Sequence, residues 1–384
     1  MKQVNVQPVT NRPAAVIAIL LVLAVLGFLA VHHLVNRFQQ EKKALGRRLY
    51  ERGQAEQGAG HPDRAIEDFR AALSYDHDDF QYQISLARAL RDTGRTEESE
   101  AYLVNLWERA PQDGAVNLAL ARLFAREGSV DRAIQYYHNA IYGVWASSAD
   151  TRQRDARFEL IGFLLQENAK PQAQAELITL SAALGADVEQ QLRVAELFER
   201  AQDYEHALAQ YESVVRRNRG NDAALAGAGE AAFQLGRYRT AEGYLSAAAK
   251  LNTKDPPSAQ LLQTSELILQ IAPFRRHISN AERNRRIRSA FAQAGKRLES
   301  CARSESAEPG GQTATPNLPA LRQQWIDMEG RLSQLSSSSE AELPDALMDL
   351  VFRIEQEAQT TCGDGTEADR ALLLLSEDRG GADR

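Results

Sequence analysis

Hydrophobic and polar positions divide the chain into three regimes. Residues 13–31 read PAAVIAILLVLAVLGFLAV, nineteen in a row without a charge. As a helix rising about 1.5 Å per residue, that run spans roughly the hydrocarbon of a bilayer. It predicts a membrane-spanning helix over 13–35, preceded by a polar tail over 1–12. From 46 to 255, large and small apolar residues recur in columns at a fixed interval, which predicts stacked supersecondary units rather than one closed globule. Beyond 255 the segments still read as helices, but outside that interval.

The columns are specific. With Gly46 as position 1, position 20 is Ala65, Ser99 and Ala133 in successive units, 34 residues apart. Restarting at Val188, it is Ala207 and Ala241, again 34 apart. Position 8 is equally small: Gly53, Ala87, Ala121, Ala195 and Gly229. Two helices of one unit approach closely only where side chains are small. Position 24 is large (Phe69, Leu103, Tyr137, Tyr211, Leu245) and fills the space beside the small ones. Position 15 is Gly60, Gly94, Gly128, Gln202 and Gly236; glycine there suits the end of a first helix, where the chain needs positive φ. From Ala133 to Ala207 is 74 residues, two periods plus six. A degenerate fourth unit fits there, with helices near 155–167 and 172–184 and the extra residues in a longer connection over 142–151. A plain helical spacer is the alternative.

These columns resemble the tetratricopeptide repeat (TPR), a 34-residue helix–turn–helix, over about 200 of the 384 residues. Departures exist: position 32, often proline in the family, is proline only at Pro111, and position 11, usually large, is Glu56 in the first unit and Ala232 in the last. Atypical end units are expected where they cap a stack. The resemblance implies that partners bind the inner face, lined by the first helix of each unit at positions 2, 5, 9, 12 and 13. Those positions include Ile84, Arg88, Arg91, Leu118, Arg122 and Arg126 in the second and third units, and Leu192, Glu196, Glu199 and Glu230 in the fifth and sixth. A groove basic at one end and acidic further on would select a partner of matching polarity; the alternative is a surface kept soluble by its charges. The asparagine–lysine clamp with which some family members hold a carboxyl-terminal peptide is not recognisable here.

After the repeats, Pro256 and Pro257 end the array, and 259–271 reads as a capping helix, so that 256–302 is expected to hold capping helices. Ser279 and Glu282 form a capping-box pattern that opens a helix to about 301. It carries Arg283, Arg285, Arg286, Arg288, Lys296 and Arg297 opposite Ile287, Phe291 and Leu298, with Arg275 and Arg276 just before. A basic amphipathic helix offers a second reading, binding of anionic lipid or nucleic acid through 279–301. A flexible linker over 303–319 and a helical tail over 320–384, broken by a serine run at 336–339, complete the expectation. Cys301 and Cys362 each follow a helix. Facing ends of antiparallel helices would bring them within bonding distance, and a disulfide forms only if the array is exported.

Composition narrows the function classes. A net charge of −7 disfavours a nucleic-acid binder. Two cysteines and no CxxC pair leave no metal or disulfide-scaffold motif. Gly227, Ala228, Gly229 and Ala232 imitate part of a dinucleotide fingerprint, but that motif needs a preceding strand, and here the flanks are helical. No Walker loop, H-E-x-x-H or G-x-S-x-G occurs. Neither an enzyme nor a cofactor or small-molecule substrate is expected; a catalytic site within the carboxyl-terminal region is the remaining rival. Lysine and arginine number two before the apolar run and six after it, counted to Arg52. That bias favours a cytoplasmic array, whereas a short basic tail ahead of the span suits an exported one, so the side stays open. The expectation is thus an all-α chain: a single transmembrane helix in the cell (inner) membrane, a TPR α-solenoid of about six repeats, and a small helical carboxyl-terminal region. Its expected role is a protein–protein interaction scaffold in envelope or complex assembly.

Overall fold

The computed structural model of the chain describes residues 12–252, 256–275, 277–305, 317–336 and 342–377. Arg276, most of the expected polar tail and linker, most of the serine run and the last seven residues lie outside the described residues. Among the described residues there is no β-strand, and one isolated bridge joins Asp113 and Val144. The chain divides into two compact units, Met1–Glu167 and Asn168–Arg384.

The first unit begins with α1 (Arg12–Gly58), one helix of 47 residues, about 70 Å long. The apolar run and the first helix of the first repeat are therefore one rod. Residues 36–45, NRFQQEKKAL, contain neither glycine nor proline, so nothing there stops the helix. The large apolar side chains from Leu20 to Val35 are exposed along it. Then come α2 (Pro62–Tyr75), α3 (Phe80–Asp92), α4 (Thr96–Arg109), α5 (Gly114–Arg126), α6 (Val130–Ile141) and α7 (Ala149–Gln166), each packed on its predecessor.

The second unit holds α8 (Lys170–Ala183), α9 (Val188–Arg200), α10 (Tyr204–Arg217), α11 (Asp222–Gln234), α12 (Tyr238–Leu251) and α13 (Pro256–Ile271). It continues with α14 (Asn280–Glu305), α15 (Leu318–Glu329), a short 3-10 turn (Leu332–Ser336), α16 (Leu343–Cys362) and α17 (Glu367–Glu377). The region of the expected degenerate repeat holds two helices, α7 closing the first unit and α8 opening the second, and the first of the two starts six residues earlier than the sequence pattern predicts.

The pairs form for local reasons. Aspartate or asparagine caps four of the first helices: Asp79 accepts from the Tyr82 amide, Asp113 from Ala115 and Val116, Asp187 from Glu189 and Gln190, and Asn221 from Ala224. Each first helix ends at a residue with positive φ: Gly60, Gly94, Gly128, Asn168, Gln202 and Gly236. Their intervals are 34, 34, 40, 34 and 34 residues, which locates the six-residue insertion between Gly128 and Asn168. That insertion is pinned by Trp145. Its indole N–H donates to the Ala140 carbonyl at 2.9 Å, and its ring lies where any side chain on Gly114 would sit.

Between paired helices the small columns are fully buried, as are Ala65, Ala87, Ala121, Ala133, Ala195, Ala207 and Ala241. Ser99 is also fully buried, and its hydroxyl donates to the Ala87 carbonyl at 2.7 Å. Gly53 is buried, and a Cβ on Gly229 would come within 2.5 Å of Leu245 Cγ, so the close approach there needs glycine. In the imitation fingerprint, Gly227 packs against the Tyr211 ring, which leaves no room for a phosphate.

The carboxyl-terminal segments depart from the expected division. α13 covers α12, as a cap should, and α17 packs on α13, with Ala371, Ile268 and Tyr238 in one cluster. α14 is not a second cap. Its apolar face (Ile287, Ala290, Phe291, Ala294, Leu298) shares a core with Leu321, Leu347, Leu350, Val351 and Ile354 of α15 and α16. α14 and α16 run parallel, not antiparallel: Arg297 bonds the Ala358 carbonyl, and four residues on Cys301 bonds Cys362 as a disulfide, Cα atoms 5.6 Å apart. α15 supplies the return between them, which lets the two carboxyl-terminal ends meet.

Candidate functional site

In the first unit, α3 and α5 carry the predicted arginines. They gather around a carboxylate that the sequence reading did not single out, Asp92. It accepts from Gln57 Nε2 at 3.2 Å and from Arg91 Nη2 at 2.7 Å, and lies 3.6 Å from Arg126 Nη1. Arg122 is committed to Glu159 of α7, with Nε donating at 2.7 Å and Nη2 at 2.5 Å; that bond raises its pKa. Arg88 is exposed and has no carboxylate partner among the described residues. Its pKa is lowered, first by the protein walls that displace water around it, then by the charges of Arg122 and Arg91. A guanidinium held among like charges gains from a bound anion. Ile84 and Leu118, expected on the same face, are buried beneath it. Tyr137, below Arg122, is pushed up to about 12 by burial and by Glu159.

In the second unit, α9 and α11 carry the predicted acids. Glu196 and Glu230 are exposed and Glu199 half-buried. Burial, then Glu230, raises the Glu199 pKa to about 7, a bond from the Tyr211 hydroxyl at 3.0 Å opposes the shift, and Glu196 adds to it. The other carboxylate oxygen of Glu199 is buried without a hydrogen-bond partner. Tyr211 is itself pushed far above its usual range by burial and by Glu199. The arrangement suits a cationic side chain, whose charge would restore Glu199 to its ionised form. Tyr211 and Asp92 both fit the repeat register, at positions 24 and 13, so their part in these faces could have been read from the period once polar groups were followed as closely as small ones.

The basic helix α14 offers less than its sequence implies. Its apolar face is consumed by the core, so it has no hydrophobic side left to lay into lipid. Arg285 and Arg286 both bond Glu282 and hold its pKa down to about 2; Arg286 also reaches the Leu269 and Ala272 carbonyls. Arg297 is buried and donates to the Gly363 carbonyl. Near it Glu355 is buried, and its pKa is raised to about 8 by burial and by Asp369, against the pull of Arg297. Asp369 accepts from Thr366 and Gln293 at 2.7–2.9 Å. No group of three metal-ligating side chains is present among the described residues.

The family model of the tetratricopeptide repeat matches residues 57–123 and 200–265. No curated protein matches the chain. Among solved structures, YrrB, a TPR protein with an unusual peptide-binding site, is 16% identical with a TM-score of 0.38, covering 52% of this chain and 99% of its own. PilW, a type IV pilus biogenesis factor, is 14% identical with a TM-score of 0.39, covering 57% of this chain and 97% of its own. A tetratricopeptide repeat protein from Parabacteroides merdae is 14% identical with a TM-score of 0.30, covering 87% and 99%. The matched segments take in buried small residues and positive-φ turns of both units, Ala65, Gly94, Ala207 and Gly236 among them, and over those segments the chain carries tetratricopeptide repeats.

Proposed function

We propose that this chain is a membrane-tethered scaffold whose repeats hold segments of partner proteins along the face lined by their first helices. TPR proteins serve protein–protein interaction, and the partner chemistry is read from each unit separately. The face of α3 and α5 favours an acidic segment, and the face of α9 and α11 a basic one. The observation that carries the proposal is Arg88, a guanidinium kept among other arginines with no carboxylate of its own. The test is Arg88→Glu in the full-length protein, captured from its native membrane. Arg122→Glu is a poorer choice, because it also breaks the Glu159 pair. Co-purified proteins should fall at least tenfold for Arg88→Glu with helicity unchanged; undiminished recovery would refute the reading.

The tether is residues 13–35 of α1. Among the described residues α1 is the one helix long and apolar enough to cross a membrane, and its large apolar side chains from Leu20 to Val35 are uncovered. The Cys301–Cys362 bond favours an exported array in the cell (inner) membrane, because disulfides persist in oxidising compartments. The basic residues after the apolar run argue the other way, but Arg47 pairs with Glu51 and Arg52 with Asp68, so two of the six serve the first repeat. Protease added to sealed spheroplasts should remove the array if it is exported. Protection until lysis would reverse the orientation.

A further inference from the structure

A cleft of about 650 Å³ opens between α10 and α12, the second helices of the last two repeats, on residues that play no part in the faces described above. Its floor is apolar, formed by Val215, Ala247 and the buried Leu225 of α11. Gly243 keeps it open: a Cβ there would meet nothing within 4 Å. Three arginines stand at the rim, Arg216, Arg219 and Arg239, against one acid, Glu212. Glu212 accepts from the Tyr244 hydroxyl at 3.1 Å and lies 3.9 Å from Arg216. Arg219 and Arg239 have no carboxylate partner among the described residues.

Several arginines elsewhere on or beside the second helices are answered by a carboxylate on the neighbouring one: Arg70 by Glu98 at 2.9 Å, Arg132 by Glu100 at 2.7 Å and Arg237 by Glu205 at 2.6 Å. Arg109 and Arg217 bond the Gln83 and Gln191 side chains instead, whereas Arg219 and Arg239 have neither kind of partner among the described residues. At the cleft the chain, whose net charge is −7, leaves an excess of positive charge over exposed apolar surface. Positive charge bordering an apolar floor complements an anionic group carried next to an apolar one. Sites for small molecules enclose most of the ligand surface. Here the rim arginines and Gly243 are all exposed, so the occupant covers the cleft from outside, as a chain segment does.

We propose that the cleft between α10 and α12 is a second recognition site, for an acidic segment of a partner protein. Its apolar side chain rests on Val215 and Leu225 beside Gly243, and its carboxylates meet Arg219 and Arg239. The site is independent of the first-helix faces, so one repeat pair engages two partner segments at once, and the second contact raises avidity without altering the first.

The test uses the full-length protein in phosphatidylcholine nanodiscs and a fluorescein-labelled peptide of alternating glutamate and leucine, read by fluorescence polarisation. Wild type should bind it saturably, and a matched peptide of alternating glutamine and leucine at least tenfold more weakly. Arg219→Glu with Arg239→Glu should cost at least tenfold. So should Gly243→Trp, which fills the cleft without changing charge, at an exposed helical position where a Cβ meets nothing within 4 Å. Circular dichroism confirms that each variant stays folded. The same measurements are repeated in an Arg88→Glu background, which removes the acidic-segment face of α3 and α5; binding that persists there and is lost on the cleft substitutions belongs to the cleft, which separates failure here from failure of the first-helix reading. The proposal is overturned if no saturable binding is seen, if neither cleft variant weakens it, or if dodecanoate binds in a cleft-dependent manner while the peptide does not.

Discussion

Removing the bond between Cys301 and Cys362 should unfold the carboxyl-terminal helices well before the repeats. The two cysteines are 61 residues apart, with Cys301 buried in the shared core of α14 and α16. Closing a loop of that length removes chain entropy from the unfolded state worth about 4 kcal/mol at 25 °C. With a urea dependence of about 2 kcal/mol per molar, the midpoint of this region should fall by about 2 M. Trp325 is the reporter, since its ring stacks on Phe291 at 5.2 Å and its N–H donates to the Phe291 carbonyl at 3.0 Å. Trp107 and Trp145 would be replaced by phenylalanine so that fluorescence reads the tail alone. Comparing oxidised and phosphine-reduced protein isolates the cross-link from the loss of sulfur volume, which Cys301→Ala with Cys362→Ala would add. Coincident midpoints with and without reductant would refute the reasoning, because the bond would then either not form or not restrain the unfolded chain.

Further predictions concern packing, turns and pH. Ala133→Trp, in the fully buried small column, should destabilise the first unit by about 1–3 kcal/mol through overpacking, read as a lower melting temperature; an unchanged transition would mean that the column does not mark the helix contact. Gln202 adopts φ 60°, where a side chain costs about 1 kcal/mol, so Gln202→Gly should raise stability by up to that amount while Gly128→Ala lowers it. Glu355 has a folded pKa of about 8, above its unfolded value, so the folded state binds the extra proton. Stability should be greatest below about pH 4.5 for this group, fall as pH rises, and lose its whole contribution above 8; Glu355→Gln should flatten that slope in urea titrations. Glu199 ionises near 7, so a basic peptide held by the α9–α11 face should bind more tightly at pH 8 than at pH 6, a difference that Glu199→Gln should abolish in polarisation assays.

The repeat array was legible because its constraint is steric and periodic. Small residues at positions 8 and 20 and a turn at position 15 recur whatever the surface does, and the structure buries them as the columns require. The turn column was read as a preference for glycine, yet Asn168 and Gln202 take the same backbone conformation, because the helix pair over-determines it. Following backbone need rather than residue type would have fixed the register of the fourth pair. The aspartate and asparagine caps at 79, 113, 187 and 221 share the same period and were overlooked for the same reason. The carboxyl-terminal region was less legible, since nothing there repeats. Whether α14 belongs with α13 or with α16 depends on where a long-range core forms. In sequence its arginines suit a stripe facing anionic lipid or nucleic acid, whereas Arg297 is buried against the Ala358 and Gly363 carbonyls. Side-chain commitments of this kind decide the candidate faces too. Arg88 and Arg122 are equivalent in the repeat register, but a glutamate 37 residues on engages the second and leaves the first unengaged.

The central claim is that partners are held on the first-helix face. Benzoylphenylalanine placed at position 88 on α3 and, as the opposing control, at position 104 on α4 would be photoactivated in the full-length protein within its native membrane. The account predicts discrete protein adducts from position 88 that are reduced at least tenfold at position 104. Equal adduct formation at the two positions, or adducts from position 104 alone, would contradict it.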